Sequence, residues 1–159
     1  MKKYVSQHYK IVLGPLWIQR YEWVQWDSAI VKKDAQEILE KYYNPNDIVA
    51  LFEFKARGIY GRKEKKDREK TVREVIEGIK QNFGAAQVLC PNLKRCFYIA
   101  LHERRPIRPG SIDYFSETKK LEPGIVTCIL FDSYSIERGK KPVQYHDEWS
   151  KLIDELRQL

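Results

Sequence analysis

Apolar positions run along this chain in two rhythms, and their order predicts its elements. Tyr9 to Leu13 is a short apolar run broken by Gly14-Pro15, which predicts a strand followed by a turn. Between Trp17 and Val31, Glu22, Val24 and Trp26 alternate with Trp23, Gln25 and Asp27. This alternation predicts a strand or hairpin with Asp27 midway, against a competing helix that begins near Trp26. From Lys33 to Tyr43 the spacing of Ala35, Ile38, Leu39 and Tyr42 is helical, with Asp34 as N-cap and Glu37 three residues on. Asn44-Pro45-Asn46-Asp47 ends that predicted helix and leads into Ile48-Val49-Ala50-Leu51-Phe52-Glu53-Phe54-Lys55. A run of that composition, closed by Gly58, predicts a buried strand.

The second half alternates in the same way. Val72, Val75, Ile76, Ile79 and Phe83 share one face of an amphipathic helix over 71–83, with Gly84 as its predicted stop. Ala85 to Leu89, Cys96 to Leu101 and Gly124 to Phe131 predict strands. Glu148 to Leu159 predicts a helix, with Trp149, Leu152, Ile153, Leu156 and Leu159 on one side and Asp147 near its start. Ser111 to Pro123 shows no pattern that assigns it. With no internal repeat or linker, residues 1–159 predict one α+β domain, a mixed central β-sheet flanked by helices.

Charge changes the picture in one respect. Lysine and arginine number 29 against 22 acids, a net charge of +7 and a pI near 9.2, so nucleic acid is the first partner to expect. Arg57, Arg62, Lys63, Lys65, Lys66, Arg68 and Lys70 cluster after the central strand, partly offset by Glu64, Asp67 and Glu69. They read as phosphate contacts, against the alternative of a solvated helix start laced with i,i+4 pairs. Arg104, Arg105 and Arg108 offer a second basic edge, and Arg138, Lys140 and Lys141 a third. The first residues carry no signal-peptide pattern and no apolar run is long enough to span a membrane, so the expected location is intracellular and cytoplasmic.

Other chemistry finds little support. Cys90, Cys96 and Cys128 form no CxxC, and Cys90, Cys96 and His102 match no common zinc spacing, so buried inert thiols are expected. His8, His102 and His146 lack triad or metal spacing. Trp17, Trp23, Trp26 and Trp149 have apolar neighbours and read as core or dimer-contact residues rather than base-stacking platforms.

The polar residues at the end of the central strand stand out. Glu53 and Lys55 share one face and Phe52 and Phe54 the other. A carboxylate and an ammonium at the end of a buried strand are costly unless the pair has a task, although an exposed ion pair would also account for them. Asp27 lies on an earlier strand, with 25 residues between it and Glu53. Asp27 followed by Glu53-Phe54-Lys55 resembles the metal site of the PD-(D/E)xK nuclease superfamily, the restriction-endonuclease-like fold. The resemblance covers Trp17 to Leu101, including a helix and a further strand after the Glu53–Lys55 segment. It implies a Mg²⁺-dependent endonuclease acting on DNA, with Mn²⁺ as a substitute metal. Asp27, Glu53 and the backbone carbonyl of Phe54 would hold the metal, Lys55 would position the attacking water, and Glu22 would be an accessory acid. It also implies a homodimer. Two other readings fit the same residues: a non-catalytic nucleic-acid-binding protein with a basic surface, and a protein-interaction or structural domain.

Overall fold

The apolar run at the middle of the chain lies in the interior of a sheet. The computed structural model describes residues 4–55, 65–101, 114–131 and 144–159. The strands are β1 (Tyr9–Ile18), β2 (Tyr21–Lys32), β3 (Glu37–Leu39), β4 (Tyr42–Tyr43), β5 (Ile48–Lys55), β6 (Arg95–Leu101) and β7 (Val126–Phe131). The helices are α1 (Lys65–Leu89), α2 (Tyr114–Lys119) and α3 (His146–Arg157), with a 3₁₀ turn at Pro45–Asp47 capped by the Asn44 side chain. The strands form one mixed seven-stranded sheet in the order β3-β4-β1-β2-β5-β6-β7. β1, β2 and β5 are antiparallel neighbours, whereas β5, β6 and β7 run parallel. This is an α+β architecture.

Helices cover both faces of β5, and that explains its unbroken hydrophobicity. On one face Ile76, Ile79, Phe83 and Ala86 of α1 pack on Trp26, Leu51 and Tyr98, with the Trp26 and Phe83 rings 5.0 Å apart. On the other, Leu152 and Leu156 of α3 pack against Phe52, Phe97 and Ile99. Phe52 stacks on Phe97 at 4.7 Å and on Phe54 at 6.0 Å. All three cysteines are buried, and burial pushes each thiol up to about 12, so they are inert as expected.

Several sequence expectations are corrected. Residues 33–43 form no helix: β3 and β4 make a small hairpin instead. Glu37 does not complete a helix cap; its carboxylate accepts the Lys41 N–H at 2.7 Å, in the turn where Lys41 has φ 61°. The edge of β1 supplies what a short isolated helix lacks, since Trp17 N–H donates to the Lys41 carbonyl and Gln19 N–H to that of Tyr43. The helix competing for Trp26 onward is likewise absent, and Asp27 lies within β2. Gly84 does not stop α1, and residues 85–89 are helical, not a strand. Ala86 continues the buried face of Ile79 and Phe83, so the apolar run 85–89 is a further turn of the same period. β1 does not turn at Gly14-Pro15 but carries on to Ile18. Within the unassigned stretch 111–123 lies the short helix α2. The remaining strands and the C-terminal helix fall where their patterns predict. Among the described residues no helix is long and apolar enough to cross a membrane.

Candidate active site

The site begins with register. β2 and β5 pair Ile30 with Ala50, Ala29 with Leu51 and Ser28 with Phe52. Carried one residue further, this register sets Asp27 opposite Glu53. The ladder stops there because Asp27 uses its side chain: Oδ2 accepts the Phe54 N–H at 2.7 Å. On the other side of Asp27, β1 carries Gly14 and Pro15 between Leu13, paired with Ser28, and Leu16, paired with Trp26. Two residues of β1 thus face Asp27 alone, which is a β-bulge beside the site. Gly14 is required here: a Cβ on it would lie 2.4 Å from the Asp27 carbonyl oxygen and 2.6 Å from that of Trp26.

Glu53 and Lys55 point to the α1 side and form an ion pair through Nζ and Oε1. The Glu53 side chain is only 19% exposed and that of Lys55 35%. Burial raises the pKa of Glu53, and the charge of Asp27 raises it further. The hydrogen bond and charge of Lys55 offset these only in part, so its carboxyl remains above the usual range. On β6, Tyr98 is the register partner of Glu53 and is fully buried. Burial and the Glu53 charge together push the Tyr98 phenol up. Sequence reasoning passed over Tyr98, since a tyrosine inside Cys96–Leu101 reads as one more core aromatic.

The other expected site residues separate into three groups. Glu22 stands at the β1–β2 turn, exposed, its carboxylate accepting the Arg20 N–H at 2.8 Å. It lies five residues along β2 from Asp27, roughly 16 Å for an extended strand, and the structure does not bring it to Glu53. Lys65, Lys66, Arg68 and Lys70 fall in the first turns of α1. Arg57, Arg62, Lys63, Arg104 and Arg105, with Arg108, Arg138, Lys140 and Lys141, lie outside the described residues, as does His102. Of the tryptophans, Trp26 is core and Trp17 and Trp149 are half-buried, but Trp23 is 76% exposed, its ring edge-on to Tyr21 at 4.7 Å. Among the described residues no three His, Cys, Asp or Glu side chains group closely enough to hold a metal ion by themselves.

A second polar cluster closes the far edge of the sheet, and sequence reasoning missed it as well. Glu148 of α3 is buried and accepts the Ile129 N–H at 3.1 Å and Lys119 Nζ at 3.2 Å. Lys119 and Lys151 both donate to the Thr127 carbonyl, at 3.0 and 3.2 Å. Lys151 also pairs with Glu122, which accepts the Thr127 hydroxyl at 2.8 Å. Burial alone would raise Glu122, but the hydrogen bonds from Lys151 and Thr127 and the charges of Lys119 and Lys151 hold it below the usual carboxylate range. These groups occupy outward-facing backbone positions of edge strand β7. Their scatter over 33 residues leaves no local sequence signal.

Compared with known proteins, the chain matches no family model and no curated sequence.

Proposed function

We propose that the protein is a metal-dependent nuclease hydrolysing DNA phosphodiester bonds on a restriction-endonuclease-like core. The observation that carries this reading is the register of β2 on β5, which sets Asp27 against Glu53 with Lys55 on the same face. The element order adds support, because β5 is followed by the amphipathic helix α1 and then by β6 alongside it. The net charge of +7 suits a polyanionic substrate.

The donor set fits a hard divalent cation. Asp27 keeps Oδ1 clear of its bond to Phe54, and Glu53 stands beside it. The Phe54 carbonyl, on the same side of the strand as its N–H, adds a third oxygen. Mg²⁺ accepts such oxygen ligands and fills its other positions with water. Burial above all, with a smaller contribution from the Asp27 charge, holds the pKa of Glu53 up, a cost that a bound cation would relieve. When bound, Mg²⁺ or Mn²⁺ neutralises charge at the phosphate and makes its water acidic near neutral pH. Asp27 holds the Phe54 backbone in place through its hydrogen bond. Lys55, steadied by Glu53, orients the attacking water and stabilises charge on the phosphorane oxygens.

The test is incubation of supercoiled, linear and single-stranded DNA with the protein in Mg²⁺, Mn²⁺ or chelator. Asp27→Asn, Glu53→Gln and Lys55→Ala are run in parallel. Metal-dependent cutting that falls by about 10²–10⁴-fold in Lys55→Ala is expected, with DNA retention preserved. Salt-sensitive retention without cleavage in any metal would leave a nucleic-acid-binding protein. Cleavage surviving all three substitutions would place the active site elsewhere.

A further inference from the structure

The β1–β2 hairpin closes at the end of the sheet that carries Asp27 and Glu53. Leu16 pairs with Trp26 and Ile18 with Tyr21, so Trp17 alone faces residues 22–25 of β2. Four residues against one make a large bulge, and bulges beside active sites re-aim side chains. Within it Val24 is buried, whereas Glu22, Trp23 and Gln25 are exposed. Trp23 is therefore not the core residue its apolar neighbours suggest. Its indole is nevertheless supported: it lies edge-on to the Tyr21 ring, and Tyr21 is buried, its hydroxyl donating to Asn82 Oδ1 of α1 at 3.4 Å. Tyr21 and Val24 belong to the core on the α1 side of the sheet, the side to which Glu53 and Lys55 point. Trp23 precedes Asp27 by four residues on the same strand, which places it at most about 13 Å away.

We infer that Trp23 is a stacking platform for an unpaired base of the DNA substrate, a few nucleotides from the cut. The inference rests on the nuclease reading and narrows its substrate to DNA with a single-stranded stretch beside the scissile bond. The exposed neighbours of the ring are polar, so it offers a flat stacking face without the contiguous apolar area of a protein contact. A base supplies a π-face for the indole, and its polar edges suit the Glu22 carboxylate and Gln25 amide exposed in the same bulge. Glu22, held in place by the Arg20 N–H, also repels phosphate, so the platform takes a base rather than backbone. Within a duplex both faces of a base are covered by its neighbours, and only an unpaired or terminal base can stack here. A span of about 13 Å corresponds to roughly four nucleotides at the stacked spacing of about 3.4 Å, and to fewer in an extended strand.

The test begins in chelator, by titrating the whole chain with a single-stranded oligonucleotide and with the blunt duplex of the same sequence. Trp23→Ala should weaken single-strand binding by about 5- to 100-fold and duplex binding by less than about twofold. Trp23→Tyr keeps a ring and should recover most of the loss. Because the side chain is exposed, both variants should melt with the unmodified chain. Equal losses on the two DNAs, no loss on the single strand, or no retention of single-stranded DNA by the unmodified chain would overturn the proposal. Cleavage assays in Mg²⁺ then separate it from the reading it rests on. There Trp23→Ala should raise KM for single-stranded and tailed DNA and leave kcat in place. Trp23-dependent single-strand binding with no DNA cut in any metal would refute the nuclease and leave the platform standing. Metal-dependent cutting of those DNAs that is indifferent to Trp23 would refute the platform and leave the nuclease.

Discussion

Gly14, which carries no functional group, sets the backbone geometry around Asp27. Gly14 allows β1 to approach the Trp26 and Asp27 carbonyls at a distance that no side chain tolerates, because the obstacle is backbone and cannot swing away. Gly14→Ala should cost about 1–3 kcal/mol in urea unfolding, as overpacking does, and should loosen Asp27 from the Phe54 N–H. An unchanged unfolding midpoint would show that the bulge absorbs the methyl. Glu53 gives a prediction with a pH sign. Its carboxyl is held above the usual range by burial and by Asp27, so the folded chain retains the proton to higher pH than the unfolded one. Stability is therefore lost as pH rises from the unfolded carboxylate range through the folded value. Glu53→Gln should raise the melting temperature at neutral pH, and the gain should shrink as pH falls below the unfolded value of about 4.3. A variant less stable at neutral pH than the parent would show that the Lys55 ion pair outweighs burial. Higher stability with lost cleavage is the expected signature of a carboxylate kept for chemistry.

At the scale of elements, α1 offers the clearest check. Both Gly78 and Gly84 lie inside it, and a Cβ on either would meet nothing within 4 Å. Gly84→Ala should then stabilise by about 1 kcal/mol, the usual helix-interior difference. If Gly84 instead ended the helix in a left-handed conformation, the same change would destabilise, so thermal melting decides between the two. Sequence reasoning took Gly84 for a stop because glycine is common just past helix ends. The continuing period through Phe83, Ala86 and Cys90 was the better guide. The β3–β4 hairpin failed for a different reason. Ala35, Ile38, Leu39 and Tyr42 keep helical spacing, yet Ile38 and Leu39 are exposed and the segment is held by backbone bonds to β1. No local signal records a backbone partner that lies far upstream, as Trp17 does from Lys41 and Gln19 from Tyr43.

Over the whole molecule, the sheet is fastened at its β7 end by charge. Glu148 ties α3 to the Ile129 backbone and to Lys119 of α2. Glu148→Ala leaves a buried N–H and a partly buried lysine without this carboxylate and should cost about 3–5 kcal/mol, the usual penalty for removing one partner of a buried pair. Denaturant titration measures it, and a loss within the range of ordinary surface substitutions would argue that the edge is solvated. Glu122 adds the acid limb. Its folded pKa is depressed, so its contribution is present above the unfolded value and disappears as pH falls through the folded one. Melting profiles should therefore steepen on the acid side, and Glu122→Gln should flatten that slope.

What the residues determined unaided was the set of strongly periodic elements. β5, β6, β7, α3 and the core of α1 announce themselves because burial on two faces, or on one helical stripe, must be written into composition. The Glu53-Phe54-Lys55 triplet at the end of β5 was legible for the same reason, since charge next to a continuous apolar run is costly unless it is paired or has a task. Tertiary structure alone decided that Asp27 meets Glu53. Strand register depends on pairings such as Ser28 with Phe52 and on the bulge at Gly14-Pro15, and these are relations between distant segments rather than properties of either. It also decided the β3–β4 hairpin, the charged closure of β7 and the bulge that exposes Trp23. In each of these, backbone groups or side chains are satisfied or left open by neighbours far along the chain, which spacing within a single segment does not encode.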